Sequence, residues 1–337
     1  EPYTYNKEAL GVPLKLTSAL SISYDKRKTV GEVYDQIVRD LDEAEKYFLM
    51  LPNEKQFLPN YRITLPAVQL LKARVNLYMN NLEEAAKYAK NVIEDWDFAL
   101  YDLRSISYDG VTFPNYVTYD NPETIWAFGK RNDLLKFTHD LMGDYGVKDH
   151  RVLINASDEL VDNYEDEGDL RKQFYLVPEY GYTPVCYLAV SKCVFLGESI
   201  PSDDKFMLAL RLSEAYLILA EATAKTDPTI ALNAVNELRK KRISEEKYKD
   251  KSGLSGDELL EFVRNERRRE LCFEGHRWFD LRRYGMPSFT RVWKEGGVAA
   301  KWFTMEKEDA AYTLPISKEV MDRNPGLVQN RLGNPKY

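Results

Sequence analysis

The stretch RNERRRELCFEGHRWFDLRRYG, Arg264 to Gly285, decides how this chain is read. It holds seven arginines and four carboxylates, interleaved with Leu271, Phe273, Trp278, Phe279 and Leu281. Upstream, Ser255 with Glu258 three residues later has the form of a capping box, so a helix is expected to begin near Gly256. Leu259, Leu260 and Val263 open an apolar stripe at helical spacing, and its continuation brings Arg267, Glu270, Leu271, Glu274 and Trp278 to the same side. Charges therefore fall on the face that is to be buried. A lone buried charge is costly, so these groups must be paired. Glu266 with Arg269 and Glu274 with Arg277 are the expected local pairs, each at i,i+3. Gly275 interrupts the pattern and Gly285 ends it, which predicts two helices with a bend between them.

Three uses of such a stretch compete. A phosphate-tracking nucleic-acid surface would not carry acids in register with its arginines. A catalytic centre would set one carboxylate or histidine apart, and none stands apart here. A buried ion-pair network that locks two helices to the rest of the fold fits the pattern best.

The same residues carry a resemblance. Glu266-Arg267-Arg268, Glu270-Leu271, Phe273-Glu274-Gly275, Arg277-Trp278 and Asp280-Leu281-Arg282-Arg283 are similar to the ERR-x-EL-x-FEG-x-RW-x-DLRR signature of the SusD/RagB family. The resemblance implies a mainly α fold, with tetratricopeptide-like helical hairpins forming a SusD-like scaffold, long irregular loops and a few short strands. It implies a lipid-anchored protein on the outer face of a bacterial outer membrane that binds a glycan or other nutrient. It also implies a SusC-type TonB-dependent transporter as partner and no catalysis. Arg211-Leu212-Ser213-Glu214-Ala215-Tyr216-Leu217 with Ala220-Glu221-Ala222, and the closing Leu314-Pro315-Ile316, Asn324-Pro325 and Gln329-Asn330, resemble further family elements, with Ser317 departing from the usual second proline. Members usually have a longer front, so the chain is short relative to the family. On this resemblance the anchor lies outside the chain, because no signal peptide and no early cysteine occur.

Composition narrows the partners. The 337 residues carry a net charge of −7 and are 44% hydrophobic, which allows a large core and disfavours a polyanionic main ligand. No apolar run is long enough for a transmembrane helix. Cys186, Cys193 and Cys272 form no C-x-x-C pair, and His139, His150 and His276 are scattered, so neither a metal site nor a cofactor is expected. A bond between Cys186 and Cys193 stays open. The acidic run Glu165-Asp166-Glu167-Gly168-Asp169 does not have EF-hand spacing and reads as a solvated turn rather than a calcium loop. Twenty-three tyrosines and five tryptophans suit both packing and sugar rings.

Along the chain, 29–95 and 206–285 read as the helical repeat scaffold, and 96–205 and 286–337 as loop-rich, candidate ligand-binding regions of one domain spanning 1–337. Thr29 with Glu32, and Asn81 with Glu84, are expected caps. Thr64, Ser157 and Pro228 mark further helix starts, and a single helix is expected from Phe206 to Lys225. Residues 286–311, with Trp293, Gly296-Gly297, Trp302 and Phe303, read as irregular.

There is no G-x-S-x-G elbow, Walker loop or G-x-G-x-x-G run. The expectation is binding without turnover. Candidate ligand contacts are aromatics in polar, irregular segments: Trp293, Trp302, Tyr108, Tyr116, Tyr119, Tyr180 and Tyr182. The structural signature is Glu266, Arg267, Glu270, Phe273, Glu274, Gly275, Arg277, Trp278, Asp280 and Arg282. A peptide-binding helical-repeat adaptor and a helical glycoside hydrolase are the other readings.

Overall fold

The computed structural model describes residues 2–19, 24–57, 62–106, 121–128, 156–164, 168–179, 186–188, 208–295 and 298–331. Helix α1 (Val30–Leu49) starts at the expected capping box. Thr29 Oγ1 accepts from the Glu32 amide, and the Glu32 carboxylate accepts from the Thr29 amide. A short α2 (Asn53–Gln56) follows, then α3 (Leu65–Tyr78), with Pro66 in its first turn, and α4 (Leu82–Glu94). Asn81 does precede α4, but its side chain caps nothing and donates instead to Asn76 Oδ1 at 3.0 Å.

The chain then crosses β1 (Thr124–Phe128), α5 (Asp158–Asp162, capped by Ser157), α6 (Leu170–Tyr175, capped by Asp169) and a small ribbon of β2 (Val177–Glu179) and β3 (Cys186–Leu188). The helix expected from Phe206 is corrected at its start. Leu208–Arg211 is a strand, β4, paired antiparallel with β1, and α7 begins only at Leu212 and runs to Thr223. A helix through 208–211 would leave the β1 edge unpaired in the core, where lost backbone bonds are costly. The Leu212 amide closes the junction on the Glu123 carbonyl at 2.9 Å.

Helix α8 (Pro228–Lys240) begins at Pro228, with Asp227 accepting from the Thr229 and Ile230 amides. Helix α9 spans Gly256–Glu270 and α10 His276–Arg283. The expected bend is there, with Gly275 at φ 81°. The Ser255 capping box is not: its side chain makes no cap bond, and Gly256 turns the chain at φ 57° between cap and helix.

Residues 289–295 and 298–305 are not irregular. They form an antiparallel hairpin of β5 (Phe289–Glu295) and β6 (Val298–Met305). Two β-rich runs about a Gly-Gly pair were the signal for it. A last short helix, α11, covers Lys318–Arg323. The architecture is mainly α with few, short strands, as the resemblance implied.

Packing follows from small residues at helical spacing. Ala67, Leu70, Ala73 and Leu77 of α3 meet Ala85, Ala89 and Val92 of α4, and Ala215, Ile218 and Ala222 of α7 close the same cluster. Alanines on facing ridges let axes approach closely. On the other side, Ala220, Ala231, Ala234 and Val235 pack on Leu259 and Val263 of α9. Helix α7 is thereby buried on both sides and presents α9 and α10 to the β1–β4 pair.

Candidate functional site

The signature folds into two adjoining ion clusters. The first centres on Glu270. Arg242 donates to it through Nε and Nη2, both at 3.0 Å, and Arg211 Nη1 at 2.9 Å. Arg211 also grips Glu274 with two bonds of 2.8 Å and reaches Glu123 at 2.9 Å. Arg171 holds Asp169 through two side-chain bonds and donates to Glu266 at 2.6 Å. The expected Glu266–Arg269 pair forms at 2.7 Å. The expected Glu274–Arg277 pair does not. Glu274 turns inward to Arg211, because the Gly275 bend carries Arg277 onto a different helix. All nine of these side chains, Arg269 and Glu123 included, are buried. Bidentate guanidinium–carboxylate geometry is the arrangement best able to offset the desolvation of such charges.

The second cluster joins α3, α7 and α10. Arg74 grips Glu214 at 2.7 and 2.5 Å, and Arg283 grips Glu221 at 2.8 and 2.7 Å. Asp280 accepts from Arg267 at 3.0 Å and Arg283 at 2.9 Å. Burial pushes the Glu214, Glu266 and Asp280 carboxyls up, but the neighbouring arginines outweigh it and hold each at about 2. Burial takes His276 down to about 4, so it is neutral at pH 7. At neutral pH none of these three carboxyls keeps a proton to give. These residues position the fold.

Beside the outer face of α10 a cleft of about 260 Å³ opens between that helix, α1 and the N-terminal segment. Tyr3, Tyr34, Tyr78 and Phe279 wall it, with Arg27, Arg282 and Asn330 at its edges. The Tyr3 and Tyr34 rings lie 5.0 Å apart, and Phe279 stacks near-parallel to Tyr78 at 6.3 Å. Phe279 is 50% exposed. Burial, then the charge of Asp280, raises the Tyr78 phenol to about 12, so it stays a neutral hydrogen-bonding group. Neither the Tyr34 nor the Tyr78 hydroxyl has a hydrogen-bond partner among the described residues. Flat rings with uncommitted polar tips and guanidiniums beside them suit a polyhydroxylated ring, whose C–H face stacks while its hydroxyls bond.

None of these aromatics was singled out from sequence. Phe279 had the signal: it stands one residue off the buried stripe that ends at Trp278, so it had to face outward. Of the aromatics that were singled out, Trp293 and Trp302 are 53% and 62% exposed on the hairpin. Trp293 pairs across the ladder with Lys301, and Trp302 with Val292, so the two indoles project from opposite faces of the ribbon. They do not form a common platform. Tyr108, Tyr116, Tyr119, Tyr180 and Tyr182 lie outside the described residues, as do Cys193 and Glu165-Asp166-Glu167. Asp169 is no solvated residue but the buried cap of α6. Among the described residues no group of His, Cys, Asp and Glu is placed to hold a metal ion, and no helix is long and apolar enough to cross a membrane.

Comparison with known proteins adds the following. The model of the SusD family matches residues 198–337. A SusD-like protein, P38, of Formosa agariphila is 26% identical over 320 residues, which covers 80% of this chain and 61% of that protein. The chain thus spans about 61% of the length of the curated relative it matches. Among solved structures, a proposed sugar binding protein from Bacteroides vulgatus superposes with a TM-score of 0.73 at 25% identity, over 100% of this chain and 72% of that one. A SusD superfamily protein from Bacteroides thetaiotaomicron gives 0.71 at 21% identity, over 98% and 73%, a likeness of fold alone.

Proposed function

We propose that this chain, similar to the SusD family over residues 198–337, binds carbohydrate in the aromatic cleft walled by Tyr3, Tyr34, Tyr78 and Phe279. The observation that carries the reading is the half-exposed Phe279 ring stacked beside Tyr78, with two uncommitted phenol hydroxyls and arginines at the rim. The related Bacteroides vulgatus fold described as sugar binding supports the ligand class. Binding is passive. The cleft captures an oligosaccharide at the cell surface and hands it, unmodified, to a SusC-type TonB-dependent transporter in the outer membrane, with a lipid anchor holding the protein there. Trp293 and Trp302 are further single-ring contacts for the same glycan.

Calorimetry of the 337-residue chain against a panel of neutral and acidic oligosaccharides tests this. One of them is expected to bind in the micromolar range, with Phe279→Ala weakening it by roughly fivefold, the worth of about 1 kcal/mol of ring stacking. Silence across the panel, or an affinity indifferent to Phe279→Ala, removes the cleft as the sugar site.

A further inference from the structure

On the opposite side of α10 from the aromatic cleft lies a second cavity of about 250 Å³, bounded by α5, α9, α10 and β5. Four guanidiniums line it, those of Arg267, Arg268, Arg277 and Arg291, over an apolar floor that includes Leu160 and Leu271. Among the described residues their acids are few and already shared, and Glu214, 3.8 Å from Arg267, is gripped by Arg74. Asp280 is taken by Arg267 and Arg283. Glu159 is bound by Arg268 at 2.7 Å and lies 3.7 Å from Arg291. Arg277 makes no ion pair and no hydrogen bond among the described residues, and its buried Nε has no partner.

Arg267 sharpens the point. It is 1% exposed, its Nε serves Asp280 and its Nη2 meets His276 Nδ1 at 3.3 Å, yet its buried Nη1 has no partner among the described residues. A buried guanidinium N–H without an acceptor is costly, and native structures seldom leave one so. Burial and the neighbouring Arg268 charge both disfavour the charged form of Arg277, and burial does the same for Arg291, against the weaker pull of Glu159.

We propose that this cavity is an oxyanion site, built to take the carboxylate or sulfate ester of an acidic sugar unit. Planar guanidiniums bind such oxygens through paired N–H donors, and the apolar floor receives the ring that carries them. At about 250 Å³ the cavity holds one unit rather than a chain, below the roughly 300–1,000 Å³ of drug-sized sites. The oxyanion part stands on the cavity alone. The sugar that carries it rests on the carbohydrate reading above.

The test is calorimetry of the full 337-residue chain at low and at high sodium chloride, with three probes: a hexuronic acid, inorganic sulfate and the neutral hexose of the same configuration. The uronate and sulfate are expected to bind, more weakly at high salt, and the neutral hexose not to bind there. Arg277→Gln and, separately, Arg291→Gln should each weaken both anions by about tenfold or more. Arg277→Gln should leave the melting temperature unchanged or raised, since it breaks no pair. Phe279→Ala should leave uronate binding intact, which separates this site from the aromatic cleft. Sulfate binding without uronate binding sinks the sugar unit. Anion binding indifferent to both arginine variants, or no anion binding at all, overturns the site.

Discussion

Around Glu270, the four guanidiniums of Arg171, Arg211, Arg242 and Arg269 meet five carboxylates, those of Asp169, Glu123, Glu266, Glu270 and Glu274. Beside it, Arg267, Arg268, Arg277 and Arg291 face a cavity where, among the described residues, Asp280, Glu159 and, at 3.8 Å, Glu214 answer them, with Asp280 shared with Arg283 and Glu214 with Arg74. Both places are made of the same residue types, and each draws part of its charges from Arg264–Gly285. Where acids match or exceed arginines, every donor is used, and the charges hold elements together. Where arginines exceed acids, donors are left over among the described residues, and a leftover buried donor is open to a ligand oxygen. Charge balance within a few ångströms, rather than the motif, separates mortar from binding site.

The largest expected effect lies in the balanced cluster. Glu270→Ala removes the shared acceptor of Arg211 and Arg242 and should destabilise the fold by about 3–5 kcal/mol, read from urea denaturation. Glu274→Ala strands one face of Arg211 and should cost nearly as much. If either variant melts like the parent, the cluster is not a clamp.

Acid reaches the buried imidazole before the buried carboxyls. His276 has a folded pKa of about 4 against about 6.5 unfolded, so the unfolded chain takes up its proton first. Its contribution is complete above pH 6.5 and is lost between about 6.5 and 4. Glu266, Glu214 and Asp280 are held at about 2, so their contribution is present above the unfolded carboxylate range and is lost from about 4.5 down to 2. Each group is worth on the order of 2–3 kcal/mol. Stability measured against pH should fall in two steps, and His276→Gln should erase the upper one while leaving the lower. A single step near pH 4 in the parent would count against the neutral, buried imidazole.

Trp278→Ala comes next. Trp278 stacks on Tyr312 at 5.2 Å and packs against Leu281 and Met286 while half-buried, so roughly 2 kcal/mol is expected from the melting curve, without any change in ligand affinity. The smallest effect on stability belongs to the unbalanced side. Arg277→Gln should move the unfolding free energy by no more than about 0.5 kcal/mol, the ordinary range of a substitution that breaks no specific contact.

Much of this was legible in the residues. The helix starts at Thr29, Ser157 and Pro228 are local hydrogen-bond chemistry, and each appears where read. The bend at Gly275 and the burial of Arg267, Glu270, Leu271 and Glu274 follow from period alone. The hairpin at 289–305 was legible too, in its Gly-Gly pair, but its exposed tryptophans drew the reading towards loops. Leu208–Arg211 was harder. Its leucines fit a helix locally, and only the β1 edge 80 residues away in the chain makes it a strand. The aromatic cleft was beyond reach, since Tyr3, Tyr34, Tyr78 and Phe279 come from four separate stretches.

What the sequence alone determined is that buried charge must be neutralised, where the helices begin and bend, and which family the chain resembles. Those are short-range facts: capping, periodicity and a contiguous motif. The tertiary structure alone decided which acid neutralises which arginine. Glu274 met Arg211 and not Arg277, and Arg277 met no acid among the described residues, because ion pairing depends on distances between elements that spacing along the chain does not encode.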